Sequence, residues 1–209
     1  MPILLPIVIG VVAGYLLGNI NGAVCVSHLM NDDVRSHGSG NAGLTNFIRN
    51  YGVGRSALVI VIDVGKAVVA CLAGGLFLAP YGMALEGRTI AGLALMLGHD
   101  FPALLGFRGG KGILSGWFVA WCVDWRIGLL IAIVFFTSYL LTMYVSLGSV
   151  LAALTFGVGF AVFYHNNPAV LACGIAMSLL TVFMHRGNIL RLAKGEERKT
   201  NLFGKGKKQ

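Results

Sequence analysis

Charge is scarce in this sequence: Asp and Glu together number 8, and Lys and Arg 16, in a chain of 209 residues. So few acids leave little to hold a catalytic metal, no cluster of His, Cys, Asp or Glu has metal-ligand spacing, and no cofactor is called for. Gly-x-Ser-x-Gly and His-Glu-x-x-His are both missing, which excludes the usual nucleophile-and-base hydrolases and the zinc peptidases. The four cysteines, Cys25, Cys71, Cys122 and Cys173, form no Cys-x-x-Cys pair and sit inside apolar runs. They read as small buried hydrophobes, neither disulfides nor ligands.

Apolar residues fill the space that charge leaves. The chain is 56% hydrophobic with a mean hydropathy of +0.80, which marks an all-α polytopic membrane protein. The net charge of +8 does not indicate nucleic acid, because the basic residues lie in short loops between apolar runs and in the terminal stretch. Met1 to Gly10 has no basic n-region and no small-residue cleavage site, so it reads as a retained first span.

Seven spans are expected: Ile3 to Leu29, Ser56 to Pro80, Leu85 to about Leu105, Ile113 to Val123, Ile127 to Tyr144, Ser149 to Tyr164 and Ala169 to Met184. The fourth is only 11 residues, nearer a re-entrant segment than a full crossing. Parity keeps it. With seven crossings and the N-terminus outside, 13 of the 16 basic residues face the cytoplasm, leaving Arg88 and Arg126 outside and Lys66 within a span. Removing the short span would put the basic C-terminus outside, against the charge bias. Gly14, Gly18 and Gly22 recur every fourth residue and predict a close-packing helix face. Asp63 and Lys66, three apart, share a face and offset each other's desolvation. The whole chain, 1–209, reads as one integral membrane domain, with 204–209 a disordered basic tail near anionic lipid.

Three polar islands interrupt the apolar runs, and the same parity puts them on one side. Gly106 to Gly112, Gly-Phe-Arg-Gly-Gly-Lys-Gly, is a basic glycine-rich turn whose backbone amides, with Arg108, Gly109, Gly110 and Lys111, suit a phosphate. It is not a nucleotide P-loop, which would need glycine at Leu105 and Ser or Thr at Gly112. The island from Ser36 to Tyr51 sets Ser39, Asn41, Thr45, Asn46 and Arg49 among glycines, offering hydroxyl and amide donors beside a guanidinium. The last, from His185, brings His185, Asn188 and Arg191 to one face if the seventh helix continues past His185. The bland alternatives are capped loops and a positive-inside flank.

These motifs closely resemble the bacterial membrane glycerol-3-phosphate acyltransferases of the PlsY family: Gly-Tyr-Leu-Leu-Gly at 14–18, His-Gly-Ser-Gly-Asn-Ala-Gly-Leu-Thr-Asn followed by Arg49, Gly-Phe-Arg-Gly-Gly-Lys-Gly, Tyr-Val-Ser-Leu-Gly-Ser at 144–149, and His-Arg-Gly-Asn-Ile-Leu-Arg with Gly195 and Glu197. The resemblance implies transfer of a fatty acyl group from acyl phosphate to the 1-hydroxyl of sn-glycerol 3-phosphate, giving lysophosphatidic acid and inorganic phosphate. It places the enzyme in the bacterial inner membrane, in contact with lipid, its site on the cytoplasmic side. Ser39, Arg49, Lys111, Ser149 and His185 match family positions for substrate binding and catalysis; Asn41, Thr45, Asn46, Asn188, Arg191 and Glu197 match motif positions. Family members commonly carry Ser and Pro where this chain has Asn19 and Asn21, and Lys where it has Arg108. A transporter built on Asp63 and Lys66, or a phosphatase sharing the cationic site, are the rivals from other classes.

Overall fold

The structure, a computed structural model, describes residues 2–202. The expected tail 204–209 lies outside them. The described residues form ten α-helices and three short 3₁₀ turns, with no strand. In chain order the helices are α1 (Leu4–Asn19), α2 (Gly22–His28), α3 (Leu44–Tyr51), α4 (Val53–Leu78), α5 (Ala84–Asp100), α6 (Ile113–Val123), α7 (Trp125–Thr142), α8 (Val145–Phe163), α9 (Pro168–Met184) and α10 (Arg186–Ala193). Three stretches are long and apolar enough to cross a membrane, or five if each of two bent pairs counts as one span. The bent pairs are α1 with α2 at 42° and α9 with α10 at 54°. α5 carries Glu86 and Arg88 near its start and His99 and Asp100 at its end, and α6 has only 11 residues.

One expected span is broken and another ends where it was expected to. The first span does not run unbroken from Ile3 to Leu29: Ile20 and Asn21 adopt extended backbone, and the Asn21 side chain accepts from Val24 N–H to start α2. Asn19 holds the other edge of the break, donating to Tyr15 O at 2.7 Å and accepting Leu104 N–H at 3.0 Å. The seventh span stops at Met184 as its composition suggested, and the helix does not continue past it: His185 occupies the bend before α10.

Close backbone contact holds α5 against its neighbours. A Cβ at Gly98 would overlap Tyr15 O, one at Gly18 would overlap Leu95 O, and one at Gly14 would stand 2.6 Å from Ala91 O. Gly74 on α4 and Gly87 on α5 exclude a side chain from each other in the same way. The main core, with Cys71, Leu95, Met96, Val119, Ile127, Phe156, Phe160 and Met177, lies between α4, α5, α6, α7, α8 and α9. A smaller one, Val24, Val26, Val34, Ala42, Phe47 and Val59, packs beneath the loop that joins α2 to α3. That second core fixes the first polar island against α4.

Candidate active site

The first island is a knot tied by one amide. Asn46, on α3 and buried, donates to Val34 O, His37 O and Asn41 O at 3.0 to 3.1 Å and accepts Ser39 N–H at 3.0 Å. Gly38 and Gly40 turn with φ of +61° and +70°, which lets the loop fold back on Asn46. Both functions of the Asn46 amide are thus committed to shaping the loop. Asp33 starts the 3₁₀ turn Val34–Ser36 and takes a two-pronged grip from Arg35, which also donates to Leu105 O at 3.3 Å. The Arg35 guanidinium holds the Asp33 carboxyl at about 2. This ion pair joins the first island to the turn that precedes the glycine-rich one.

In that glycine-rich turn the structure corrects the expectation. Gly110 N–H donates to His99 O at 3.0 Å, and Gly109 and Gly110 press so closely on His99 and Asp100 that neither could carry a Cβ. Their role is close packing on the end of α5, and the Gly110 amide is already occupied. Arg108 points outward and is exposed. Lys111 is the side chain of this stretch that turns in, donating through Nζ to Asn188 Oδ1. Burial, reinforced by the nearby Arg191 cation, pulls its pKa down to about 8.

The third island is rebuilt by the bend. His185 Nδ1 lies 2.8 Å from Thr181 O and must donate to it, which leaves Nε2 as the free acceptor of the neutral ring. Burial holds that ring neutral, with a pKa of about 4. Past the bend, Asn188 and Arg191 share a face of α10 and both reach the buried Glu197 carboxylate, Arg191 Nε at 2.9 Å and Asn188 Nδ2 at 3.3 Å. After Glu197 the chain crosses back as a strap: Thr200 N–H bonds Met143 O, Thr200 O accepts Tyr139 O–H at 3.0 Å, and Thr200 Oγ1 accepts both Arg49 Nε at 2.8 Å and Arg49 Nη2.

A single cavity of about 480 Å³ gathers these groups. Ser39, Asn41, Thr45, Asn46, Arg49, Lys111, Ser149, His185, Asn188, Arg191 and Glu197 all line it; Arg108, Gly109 and Gly110 do not. Its polar end holds three cations, Arg49, Lys111 and Arg191, with the Glu197 carboxylate among them. Asp63 and His99 also contribute to its wall. Its other part is an apolar trough walled by Trp117, Phe118, Ile131, Phe135 and Phe136, with the small Ala132 and Ala152 among them. Ser149 Oγ donates back to Val145 O at 2.9 Å, whereas Ser146 Oγ, one turn earlier, is buried without a protein partner. No group of three or more His, Cys, Asp or Glu that could hold a metal occurs among the described residues.

A model of the glycerol-3-phosphate acyltransferase family matches residues 8–195 of the chain. The chain belongs to that family. Glycerol-3-phosphate acyltransferases resembling this one include a protein of Thermoanaerobacter sp. (strain X514), 39% identical over 92% of this chain and 94% of its own length. Another, from Finegoldia magna, is 35% identical over 92% of this chain and 95% of its own length. Among solved structures, a crystal structure of PlsY, an integral membrane glycerol 3-phosphate acyltransferase in its glycerol 3-phosphate form, superposes with a TM-score of 0.84 at 31% identity, covering 95% of this chain and 99% of that one. The lysophosphatidic acid form superposes with a TM-score of 0.82. This acyltransferase-family chain is thus a membrane protein, and its three polar islands meet in one place.

Sequence reasoning about this family member missed Thr200, Tyr139 and the aromatic trough. Thr200 offered no signal, being one hydroxyl in a basic stretch. The trough was hidden because every span is apolar.

Proposed function

We propose that this chain transfers a fatty acyl group from acyl phosphate to the 1-hydroxyl of sn-glycerol 3-phosphate, releasing lysophosphatidic acid and inorganic phosphate. The observation that carries the reading is the cavity itself, cationic at one end and an aromatic trough at the other. Two phosphates need several cations close together, and an acyl chain needs apolar walls. Glycerol 3-phosphate, which the related crystal structure holds, occupies the polar end in this reading. The proposed topology has seven spans, with the N-terminus outside and the site on the cytoplasmic side of the bacterial inner membrane. The 13 basic residues that this topology places inside support it.

In the reaction the acceptor oxygen attacks the acyl carbonyl carbon, a new C–O ester bond forms, and the C–O bond to phosphate breaks with its electron pair leaving on phosphate. The acceptor proton passes to the departing phosphate, and Arg49, Lys111 and Arg191 hold the two anions against their repulsion. The Ser39 and Ser146 hydroxyls, both on the cavity wall, are the neutral donors for the carbonyl and the bridging oxygen. His185 is the competing base, since its Nε2 is an unprotonated acceptor above a pH of about 4. His185→Gln separates the two: loss of the lower limb of the pH–rate profile assigns the proton to His185, and its survival assigns it to phosphate.

The deciding experiment gives purified protein in detergent glycerol 3-phosphate and one donor at a time: acyl phosphate, acyl-coenzyme A or acyl-carrier protein. Lysophosphatidic acid from acyl phosphate alone is the expected result. Product from a thioester donor would refute the donor assignment, and phosphate release that ignores glycerol 3-phosphate would indicate a phosphatase.

A further inference from the structure

Asp63 and Lys66 sit on α4, 2% and 5% exposed, with Nζ and Oδ1 2.9 Å apart. Charge neutralisation explains their pairing but not the direction in which the pair points. Between α1 and α2 the first span breaks, leaving carbonyls at the end of one helix and amides at the start of the next that need partners from outside the two helices. Lys66 Nζ donates to Ile20 O at 2.6 Å and approaches Gly18 O at 3.4 Å, both at the carbonyl end of α1. Asp63 Oδ1 accepts Gly22 N–H at 3.1 Å, the first amide of α2. Cation meets carbonyl end and anion meets amide end, so the pair is aligned with both helix dipoles.

Each side of this arrangement leads to one arm of the cavity. From the break, Asn21 Nδ2 donates to Ala42 O at 2.9 Å, two residues before the helix that carries Thr45 and Arg49. Lys66 Nζ also meets His99 Nδ1 at 2.7 Å, and His99 O and ring are the surfaces on which Gly110 rests beside Lys111. We propose that Asp63 and Lys66 are positioning residues: they hold the first span open at Ile20–Asn21 and, through Asn21 and His99, register the Ser39–Arg49 arm against the Lys111 arm. The kinetic part of this inference rests on the acyltransfer reading.

The test is the charge-exchanged variant Asp63→Lys/Lys66→Asp, which keeps a neutral buried pair but turns it end for end against the two helix termini. Asn21→Ala accompanies it, leaving the pair intact while removing the link to Ala42. Both proteins are compared with wild type by backbone hydrogen exchange in detergent micelles and by steady-state kinetics in each substrate. The expected result is faster exchange across 21–43 in both variants and across 106–112 in the exchanged one, with α7 and α8 unchanged. KM for glycerol 3-phosphate rises about tenfold or more, and KM for the donor changes less. Wild-type exchange and KM in the exchanged variant would overturn the proposal and reduce the pair to charge neutralisation. If that variant does not fold, Asn21→Ala decides, and wild-type values there overturn the coupling equally. Turnover by the wild type is measured first, so that failure of the acyltransfer reading is seen separately from failure of the clamp, which the exchange data test whatever the substrate.

Discussion

Replacing Lys111 by Met removes one positive charge while keeping the length and apolar stem of a side chain that reaches into the cavity. Lys111 donates to Asn188 and stands with Arg49 and Arg191 around the polar end. A unit charge about 4 Å from a phosphate oxygen, at an effective dielectric near 20, is worth about 4 kcal/mol. With about 1.4 kcal/mol per factor of ten, the variant should lose about a thousandfold in kcat/KM. Lysophosphatidic acid formation from acyl phosphate, with each substrate varied in turn, is the assay. Arg108→Met is the matched control: it removes the same charge from the same turn, but at an exposed position outside the cavity, and should stay within about twofold of wild type. A loss below about tenfold in folded Lys111→Met, or equal losses in both variants, would refute the assignment of Lys111 to a substrate phosphate.

Rising pH should weaken glycerol 3-phosphate. Lys111 titrates at about 8 in the free protein, so its cation is intact below that pH and lost above it, and kcat/KM should fall through the same region; Lys111→Arg should move this limb to higher pH. Thr200→Val removes the hydroxyl that orients Arg49 through two donors, and KM for glycerol 3-phosphate should rise by about ten- to a hundredfold, in keeping with about 1.5–3 kcal/mol for a hydrogen bond to a charged group. Ser146→Ala should lower kcat/KM about tenfold without lowering Tm, because that hydroxyl has no protein partner to lose. Gly98→Ala should cost about 1–3 kcal/mol, read as a lower Tm, since its Cβ would enter the α1 backbone; Gly65→Ala on α4, with nothing within 4 Å, should not.

The spacing of Asp63 and Lys66 was enough to place both on one face, and Gly14 and Gly18 were enough to mark the face of α1 that packs on α5, whereas Gly22, beyond the break, packs on α4 instead. The short fourth segment, Ile113–Val123, has the bounds that its composition suggested. The break at Ile20–Asn21 could not be read in the same way. A run of 27 uncharged residues looks like one rod, and the groups that stabilise its interruption come from Asp63 and Lys66, about 40 positions away. The bend at His185 is hidden for a related reason: Asn188 and Arg191 fit a continuing helix, and only the position of Glu197 and Lys111 in space favours the turn. Within the islands, residue type indicated chemistry but not direction. Asn46 and Gly110 look like ligand donors in sequence and are occupied by their own backbone, whereas Lys111 and His185 face the cavity.

One cavity with two unlike ends also sorts inhibitors. An idle amphiphile, such as a detergent monomer or a free fatty acid, should settle among Trp117, Phe118 and Phe135 and so contend with the acyl donor of the proposed reaction, while leaving the seat of the small water-soluble acceptor untouched. Inorganic phosphate does the reverse at the cationic end. The lipid made in that reaction would inherit one half from each substrate, lie across both ends and contend with both.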